Sequence, residues 1–193
     1  MKKVANKNIN RVLALAAILC CTLAVLTNSC AKHSLPRIVV ILPSPSNPFW
    51  IEVSRGADQM KAELKGRYEV DVQSSLDMDA SSQNELLNAY LDRNTVDALV
   101  LGPASDSETV PTVAKYSALH KPIVLIDTEL NPSALQNNDV HIDAFIGSDN
   151  VEGGKKAANG MFQALQSKKG STVLVIEGSL VHQSAIDRTR GFF

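Results

Sequence analysis

Aromatic residues and cysteines are both scarce in this sequence. Only 5% of the 193 residues are Phe, Trp or Tyr, and there are 3 cysteines. Cys20 and Cys21 lie within one apolar run, so a chain that loses this run keeps Cys30 alone and has no cysteine pair for an internal disulfide. The rest of the composition, 45% hydrophobic and 20% charged, is typical of a globular protein and excludes collagenous, low-complexity and disordered classes.

Basic residues are also few outside the N-terminal segment. Residues 1–11 hold four of the 19 lysines and arginines and none of the 20 acidic residues. The remaining chain therefore has 15 basic against 20 acidic residues, a net charge of -5. Nucleic acid binding depends on clustered Lys and Arg that displace counterions from phosphates. The charge balance therefore argues against nucleic acid as a partner.

Motifs for catalysis, nucleotide binding and metal binding are missing as well. No G-x-G-x-x-G turn follows the first predicted strand, and no Walker-type loop, G-x-S-x-G turn or paired-carboxylate motif occurs. His141 and Asp143 form an H-x-D pair, but two ligands on a surface loop do not make a metal site. The sequence therefore predicts a protein that is not an enzyme and that uses no cofactor or metal ion.

The first thirty residues have the pattern of an export signal. A basic start is followed by the uncharged residues 12–26 and then by Thr27, Asn28, Ser29 and Cys30. Fifteen helical residues extend only about 22 Å, which is less than the roughly 30 Å hydrocarbon core of a bilayer. The sequence thus predicts a secretory signal peptide over residues 1–29 and a short tether over residues 30–36, rather than a membrane span.

The same segment resembles a bacterial lipoprotein signal, in which the cysteine is acylated and becomes the new N-terminus. The resemblance implies that Cys30 carries a lipid that anchors the protein to a membrane. Thr27 stands where the usual pattern has an aliphatic residue, and Leu26 lies one position earlier. A soluble secreted protein that is cleaved nearby is the alternative.

Short apolar runs of strand length alternate with helical patterns along the rest of the chain. Most of the runs are continuous Val, Ile and Leu, which is typical of parallel strands that are covered on both faces. Residues 68–73 alternate between apolar and acidic side chains and so predict an edge strand. The predicted strands are residues 37–42, 68–73, 97–101, 123–126, 144–147 and 172–176.

Two of the predicted helices have clear start signals. Asn47 followed by Pro48 predicts an N-cap and a first helical position, and Asp149 with Glu152 three residues later forms a capping-box pattern. The first of these helices has an apolar stripe at helical spacing. The stripe consists of Phe49, Val53, Gly56, Ala57, Met60 and Leu64.

Two more helices are predicted, one from about Ser82 and one over residues 107–119. The alternation of strand and helix predicts an α/β fold with a doubly wound parallel sheet. In such sheets the ligand crevice lies beyond the carboxyl ends of the strands. The segments that follow those ends, and so are candidates for binding, are residues 43–50, 102–106, 127–129 and 148–150.

Four further stretches occur in a characteristic order and spacing. They are residues 46–50 (SNPFW), residues 121–127 (KPIVLID), residues 147–154 with their paired glycines, and residues 184–192. Together they resemble the ribose- and galactose-type family of bacterial periplasmic sugar-binding proteins, which have the type 1 periplasmic binding fold. The resemblance extends over residues 38–192.

This resemblance implies a two-lobed clamp that closes on a sugar by a hinge motion. Residues 37–148 would form the N-terminal sugar-binding lobe, and residues 149–193 the crossover and the beginning of the second lobe. The 164 residues from Cys30 onward, which are 193 less 29, are fewer than two lobes of roughly 100 to 150 residues each would need. We therefore expect a truncated form with impaired binding, whose first domain is nearly complete and whose second is only begun.

In the first lobe, the resemblance assigns sugar contacts to four residues. Asn47 would hydrogen-bond hydroxyls, and Phe49 or Trp50 would lie against the sugar ring. Asp127 would accept hydrogen bonds from two vicinal hydroxyls. The alternatives are a merely capping role for the asparagine, core positions for the aromatic residues and a turn role for the aspartate. Gly102 stands where the ribose branch of the family carries an asparagine, which removes one polar contact.

The second lobe would contribute Arg188, whose planar guanidinium can hold a ring oxygen and hydroxyls together. Arg190, two residues on, is the alternative. Ser148 at the crossover would either contact the ligand or cap the next helix. Thr128 stands where the ribose branch carries an arginine, which argues against ribose as the ligand.

The resemblance therefore implies the monosaccharide-binding component of an ABC importer. It would be a monomer on the periplasmic or cell-surface side, anchored through the lipid on Cys30, and its partner would be an ABC permease in the membrane. One alternative is a periplasmic sugar sensor module that signals to a chemoreceptor or sensor kinase. Another is a remnant that binds nothing.

Overall fold

The computed structural model describes residues 35–76, 78–166, 168, 170–178 and 182–193, which lie in one compact unit. The predicted export signal and Cys30 lie outside these residues. Within them, no helix is both long and apolar enough to cross a membrane. The elements in chain order are β1 Arg37–Leu42, α1 Pro48–Glu63, β2 Glu69–Ser74, α2 Ala80–Asp92, β3 Ala98–Leu101, α3 Val110–Ala118, β4 Ile123–Ile126, α4 Pro132–Asn137, β5 Ala144–Ile146, α5 Asn150–Ala164 and α6 Gln183–Phe192.

The five strands form one parallel sheet in the order β2-β1-β3-β4-β5. The predicted parallel α/β architecture is confirmed, and so is the prediction that residues 68–73 form the edge. The chain runs from β1 to β2 on one side and then crosses back over β1 to place β3 on its other side, so the sheet has its switch point between β1 and β3. The carboxyl ends of β1, β3, β4 and β5 lie along one edge of the sheet, where parallel-sheet proteins bind their ligands.

Two apolar clusters cover the two faces of the sheet. Val39 and Ile41 belong to a large cluster with α2 and α3, whereas Val40 and Leu42 belong to a smaller one with α1. This division follows from the alternation of side chains along β1. Side chains from α2 and α3, including the fully buried Tyr116, complete the larger cluster. A sheet that is covered on both faces explains why the strands are continuous apolar runs.

The predicted helix starts at Asn47 and Asp149 are confirmed. Oδ1 of Asn47 accepts a hydrogen bond from the backbone N–H of Phe49 at 2.9 Å, and Oδ1 of Asp149 accepts one from Glu152 at 2.8 Å. These caps satisfy backbone donors that have no partner within the first turn.

Other helix boundaries differ from the prediction. The second helix begins at Ala80 rather than Ser82, because the side chain of Asp79 caps it. The third begins at Val110 rather than at residue 107. The short helix α4 was not predicted, although its Asn131-Pro132 start repeats the Asn-Pro signal of α1.

The predicted strand over residues 172–176 is wrong. The structure assigns no strand to the described residues 170–178, and Leu174 and Ile176 are more than four-fifths exposed. A strand requires the backbone groups of a neighbouring strand. Among the described residues, none offers such a ladder to this segment, so its apolar run alone does not make it part of the sheet.

The apolar stripe of α1 is also displaced from its predicted position. Val53, Ala57 and Leu64 pack on the smaller cluster as expected, but Trp50 joins them and is only 3% exposed. Phe49 is 50% exposed and Met60 is 45% exposed. The prediction that Phe49 packs in the core is therefore wrong. Trp50 does pack in the core, which was the alternative to contact with a sugar.

A partly buried hydrogen bond ties the edge strand β2 to α2. The Tyr90 hydroxyl donates to Asp71, which also accepts a bond from Gln73. Burial, reinforced by this bond, raises the pKa of Tyr90 to about 12. Burial alone would raise the pKa of Asp71, but the hydrogen bonds from Tyr90 and Gln73 outweigh it, and its pKa is lowered. The bond therefore persists at neutral pH, with the proton on the tyrosine and the charge on the aspartate.

Candidate functional site

A cavity of about 360 Å³ opens at the carboxyl ends of β4 and β5, beside the start of α1. We call it the Asp127 cavity. It brings together four residues that the sequence singled out, namely Phe49, Trp50, Asp127 and Ser148. Its remaining lining residues are Val53, Ile126, Ile146 and Gly147.

The loop between β1 and α1 positions the two aromatic rings. Ser44 is buried, and its Oγ accepts hydrogen bonds from the backbone N–H groups of Ser46 at 3.3 Å and Asn47 at 3.2 Å. The helix cap at Asn47 follows at once, so the direction of α1 is fixed before its first turn. The rings of Phe49 and Trp50 then meet edge to face, with centroids 4.9 Å apart at 79°. Phe49 exposes half of its surface at the cavity, while Trp50 forms an inner wall.

Asp127 has an unusual backbone conformation. Its φ is 64°, in the left-handed region. Four of the other non-glycine residues with positive φ lie just beyond helix ends, where this conformation is common, whereas Asp127 follows a strand. Non-glycine residues in this region are uncommon and cluster at functional sites.

Two hydrogen bonds hold Asp127 in this conformation. Its N–H donates to the carbonyl of Ile146 at 2.9 Å, and the next N–H, of Thr128, donates back to Ile126 at 2.8 Å. Thr128 Oγ1 lies 3.4 Å from Asp127 Oδ2 and donates to it. The end of β5 and a tight turn therefore fix the position from which the carboxylate lines the cavity.

Asn47 and Ser148 occupy different positions relative to the cavity. Asn47 does not line it, and its Oδ1 is used to cap α1. Its Nδ2 amino group is the part of the side chain that remains chemically suited to donate to a ligand. Ser148 lines the cavity, and the cap of α5 is Asp149 rather than Ser148.

Arg188 is not brought to the Asp127 cavity. It lies on α6 and lines a separate cavity of about 230 Å³ between α5, α6 and residues 175–178. Arg190 forms an ion pair with Asp187 at 3.0 Å. In this structure, therefore, Phe49, Trp50, Asp127 and Ser148 share one cavity, whereas Asn47 and Arg188 do not line it.

A larger cavity of about 580 Å³ lies beyond the ends of β2 and β3. Thr128 lines it, so it adjoins the Asp127 cavity along the chain. Its acidic side chains are Asp79, Asp106 and Glu108, and His182 lies at its border from the start of α6. Sequence reasoning did not single out these residues, although segment 102–106 was identified as a strand-end segment.

Gln83 holds the segment after β3 in place through two hydrogen bonds. This side chain is fully buried, and its Nε2 donates to the carbonyl of Gly102 at 2.9 Å. Its Oε1 accepts from the N–H of Ala104 at 2.8 Å. One side chain thus satisfies two buried backbone groups, which fixes the backbone between β3 and Ala104, a residue that lines the larger cavity.

The aspartate of the H-x-D pair has a structural role. Asp143 Oδ2 accepts a hydrogen bond from the N–H of Ile123 at 2.7 Å, at the start of β4. His141 lies 3.6 Å from the other oxygen of the same carboxylate. Across the described part of the chain, no group of three or more His, Cys, Asp or Glu residues is arranged to hold a metal ion.

Comparisons with known proteins match the chain to one family. Residues 38–193 match the model of the periplasmic binding protein domain. The chain is 31% identical over 195 residues to the D-ribose/D-allose-binding protein of Pseudomonas aeruginosa, an alignment that covers 100% of this chain and 59% of that relative.

Two solved structures are similar in fold and sequence. An ABC transporter solute binding protein from Burkholderia multivorans has a TM-score of 0.75 and 27% identity, covering 83% of this chain and 56% of that one. A second, from Agrobacterium vitis with bound D-fucose, has a TM-score of 0.68 and 28% identity, covering 81% and 51%. The chain thus spans between half and three-fifths of the length of these relatives.

The family model covers most of the chain, and the curated relative is aligned along all of it. The resemblance proposed from the four sequence stretches is therefore confirmed. Because the family consists of proteins that bind sugars for transport, the prediction that this chain is not an enzyme is confirmed as well. The chain belongs to the sugar-binding periplasmic proteins of the type 1 fold, a family that acts outside the cytoplasm.

Proposed function

We propose that this chain binds a monosaccharide in the Asp127 cavity and serves as the solute-binding component of an ABC importer. One observation carries the proposal: a carboxylate held in a left-handed turn lines the same cavity as two aromatic rings, at the ligand-binding edge of a parallel sheet. A sugar presents both an apolar C–H face and a rim of hydroxyl donors, so it matches both halves of this arrangement.

The chemistry of each wall suits a different part of a sugar. The exposed face of Phe49 and the inner wall of Trp50 can cover the apolar face of the ring. Asp127 can accept hydrogen bonds from two neighbouring hydroxyls, and bonds to a charged acceptor are roughly twice as strong as neutral ones. Ser148 can donate to a hydroxyl oxygen, and we include the Nδ2 group of Asn47, at the start of α1, as a second donor. A cavity of 360 Å³ lies within the usual range for small-molecule sites.

We include Arg188 as a contact from the second lobe. It would reach the sugar only if a closing motion moved α6 toward the Asp127 cavity, as hinge closure does in two-lobed binding proteins. Its planar guanidinium would then bind hydroxyls that Asp127 does not reach.

The relatives support a monosaccharide as the ligand and an importer as the setting. The curated relative is a D-ribose/D-allose-binding protein, and the Agrobacterium vitis protein was solved with D-fucose. Both solved structures are solute binding proteins of ABC transporters. We therefore propose an aldopentose or aldohexose as the ligand and a membrane permease as the partner.

The chain contains a single tryptophan, Trp50, and this residue lines the proposed site. Its fluorescence therefore reports on the cavity. We expect D-allose or D-ribose to change the emission of the purified protein in a saturable way, with calorimetry giving the same dissociation constant. A linear sugar alcohol that cannot form a ring serves as the control. A panel of monosaccharides that changes neither the emission nor the heat of mixing would contradict the proposal.

We also propose that the chain is exported and anchored by a lipid on Cys30. The support is the basic and apolar N-terminal pattern together with a family that acts outside the cytoplasm. We expect bacterial cells that express the chain to incorporate a labelled fatty acid into it, and a Cys30→Ser variant to incorporate none. Export without any label in the unaltered chain would favour a soluble secreted protein instead.

A further inference from the structure

Gly102 and Trp50 are in unusually close contact. A Cβ atom at Gly102 would stand 2.7 Å from Cη2 and 2.8 Å from Cζ3 of the Trp50 indole, and 3.2 Å from Cδ of Pro43. Carbon atoms pack best at about 3.5–4.0 Å. The outer edge of the indole therefore occupies the space that any side chain at position 102 would need.

The backbone of Gly102 has no freedom to move away from the indole. Its N–H donates to the carbonyl of Ile41 at 2.9 Å, and its carbonyl accepts the hydrogen bond from the buried Gln83. Pro43 closes the remaining side. A side chain at position 102 would thus have to displace the indole rather than the strand.

Displacement of the indole would change the Asp127 cavity, because Trp50 is one of its walls. A shift from 2.7 Å to an ordinary contact distance requires a movement of about 0.8 Å. Trp50 packs on Val40 and Leu42 and is almost completely buried, so it has little room within the core. The open side is the cavity.

We propose that Gly102 is a positioning residue that sets the depth of the Asp127 cavity through Trp50 and thereby determines the size of sugar that fits. The inference rests on the proposed function and deepens it. Because glycine has no side chain, the Trp50 indole can lie against the backbone at position 102 and away from the cavity. The cavity then has room for a larger sugar. A site built in this way favours an aldohexose over an aldopentose of the same ring configuration.

A Gly102→Ala variant tests this directly, with D-allose and D-ribose as probes that differ by one CH₂OH group. We expect the ratio of the affinities for D-allose and D-ribose to fall by about tenfold or more, since one carbon too many in a tight pocket has an effect of this size. We also expect the emission spectrum of Trp50 to change in the absence of sugar.

A double-mutant cycle separates this mechanism from general damage to the fold. Phenylalanine lacks the outer ring edge that meets position 102, so Gly102→Ala is expected to have little effect on stability or selectivity in a Trp50→Phe background. Gly56→Ala, on the same helix as Trp50 and with nothing within 4 Å of its Cβ position, is the control: it should leave the selectivity unchanged and raise the stability slightly through helix propensity.

Each outcome decides the inference. An unchanged affinity ratio for Gly102→Ala, or the same change in both backgrounds, would overturn it. If the unaltered protein binds neither probe nor any other monosaccharide, the proposed function fails and the claim about sugar size fails with it. The thermal stabilities of the four proteins in the cycle, namely the unaltered chain, the two single variants and the double variant, would still decide whether residues 50 and 102 are coupled. The two failures can therefore be told apart.

Discussion

Replacing Asp127 by asparagine is expected to lower the affinity for the monosaccharide by about 10- to 100-fold. Asparagine keeps the shape of the side chain and tolerates a positive φ at least as well as aspartate does. The change therefore removes the charge without disturbing the turn between Ile126 and Thr128. Hydrogen bonds to a charged group contribute about 1.5–3 kcal/mol, roughly twice the contribution of neutral bonds, and two of them would be weakened.

Calorimetric titration with the sugar that the unaltered protein binds is the measurement. Asp139→Asn is the matched control, because Asp139 also has a positive φ, of 51°, but lies after α4 and not at the cavity. The control should bind with unchanged affinity, and both variants should have unchanged melting temperatures. An Asp127→Asn variant that binds as tightly as the unaltered chain would show that this carboxylate does not hold the sugar.

The parts of this fold that the sequence predicts are those encoded locally. The cap at Asn47 depends on a side chain and the helix beside it in the chain, and the structure confirms it. The edge position of β2 is visible in its alternation of apolar and acidic residues, because one face of an edge strand meets solvent. The candidate segments at the strand ends follow from the parallel topology alone.

The errors concern features that depend on distant partners. Residues 172–176 have the apolar composition of a strand, but a ladder also requires a neighbour, which composition does not reveal. The spacing along α1 allows either Phe49 or Trp50 to face the core, and only the position of the sheet beneath decides in favour of Trp50. The role of Gly102 depends on an indole 52 positions earlier in the chain, so no local pattern contains it.

Replacing Gly154 by alanine is expected to destabilise the packing of α5 on α6 by about 2 kcal/mol. A Cβ at this position would stand 2.1 Å from the carbonyl oxygen of Arg188 and 2.9 Å from the backbone nitrogen of Phe192. Across the same interface, a Cβ at Gly191 would stand 1.9 Å from the carbonyl oxygen of Val151. These are backbone atoms of a helix, so they cannot rotate aside as a side chain can, and overpacking of this kind costs about 1–3 kcal/mol.

The adjacent residue provides a stringent control. Gly153 lies on the same helix with nothing within 4 Å of its Cβ position, so Gly153→Ala should stabilise α5 by about 0.5–1 kcal/mol through helix propensity. Limited proteolysis within α6 and chemical denaturation would measure the two effects, which should have opposite signs. Equal changes in stability for Gly154→Ala and Gly153→Ala would show that the packing of α5 on α6 does not depend on this close approach. A loss of stability for Gly154→Ala and a gain for Gly153→Ala would explain why residues 147–154 and 184–192 contain Gly154 and Gly191. These two glycines let α5 and α6 approach closely, and this packing holds Arg188 in place on α6.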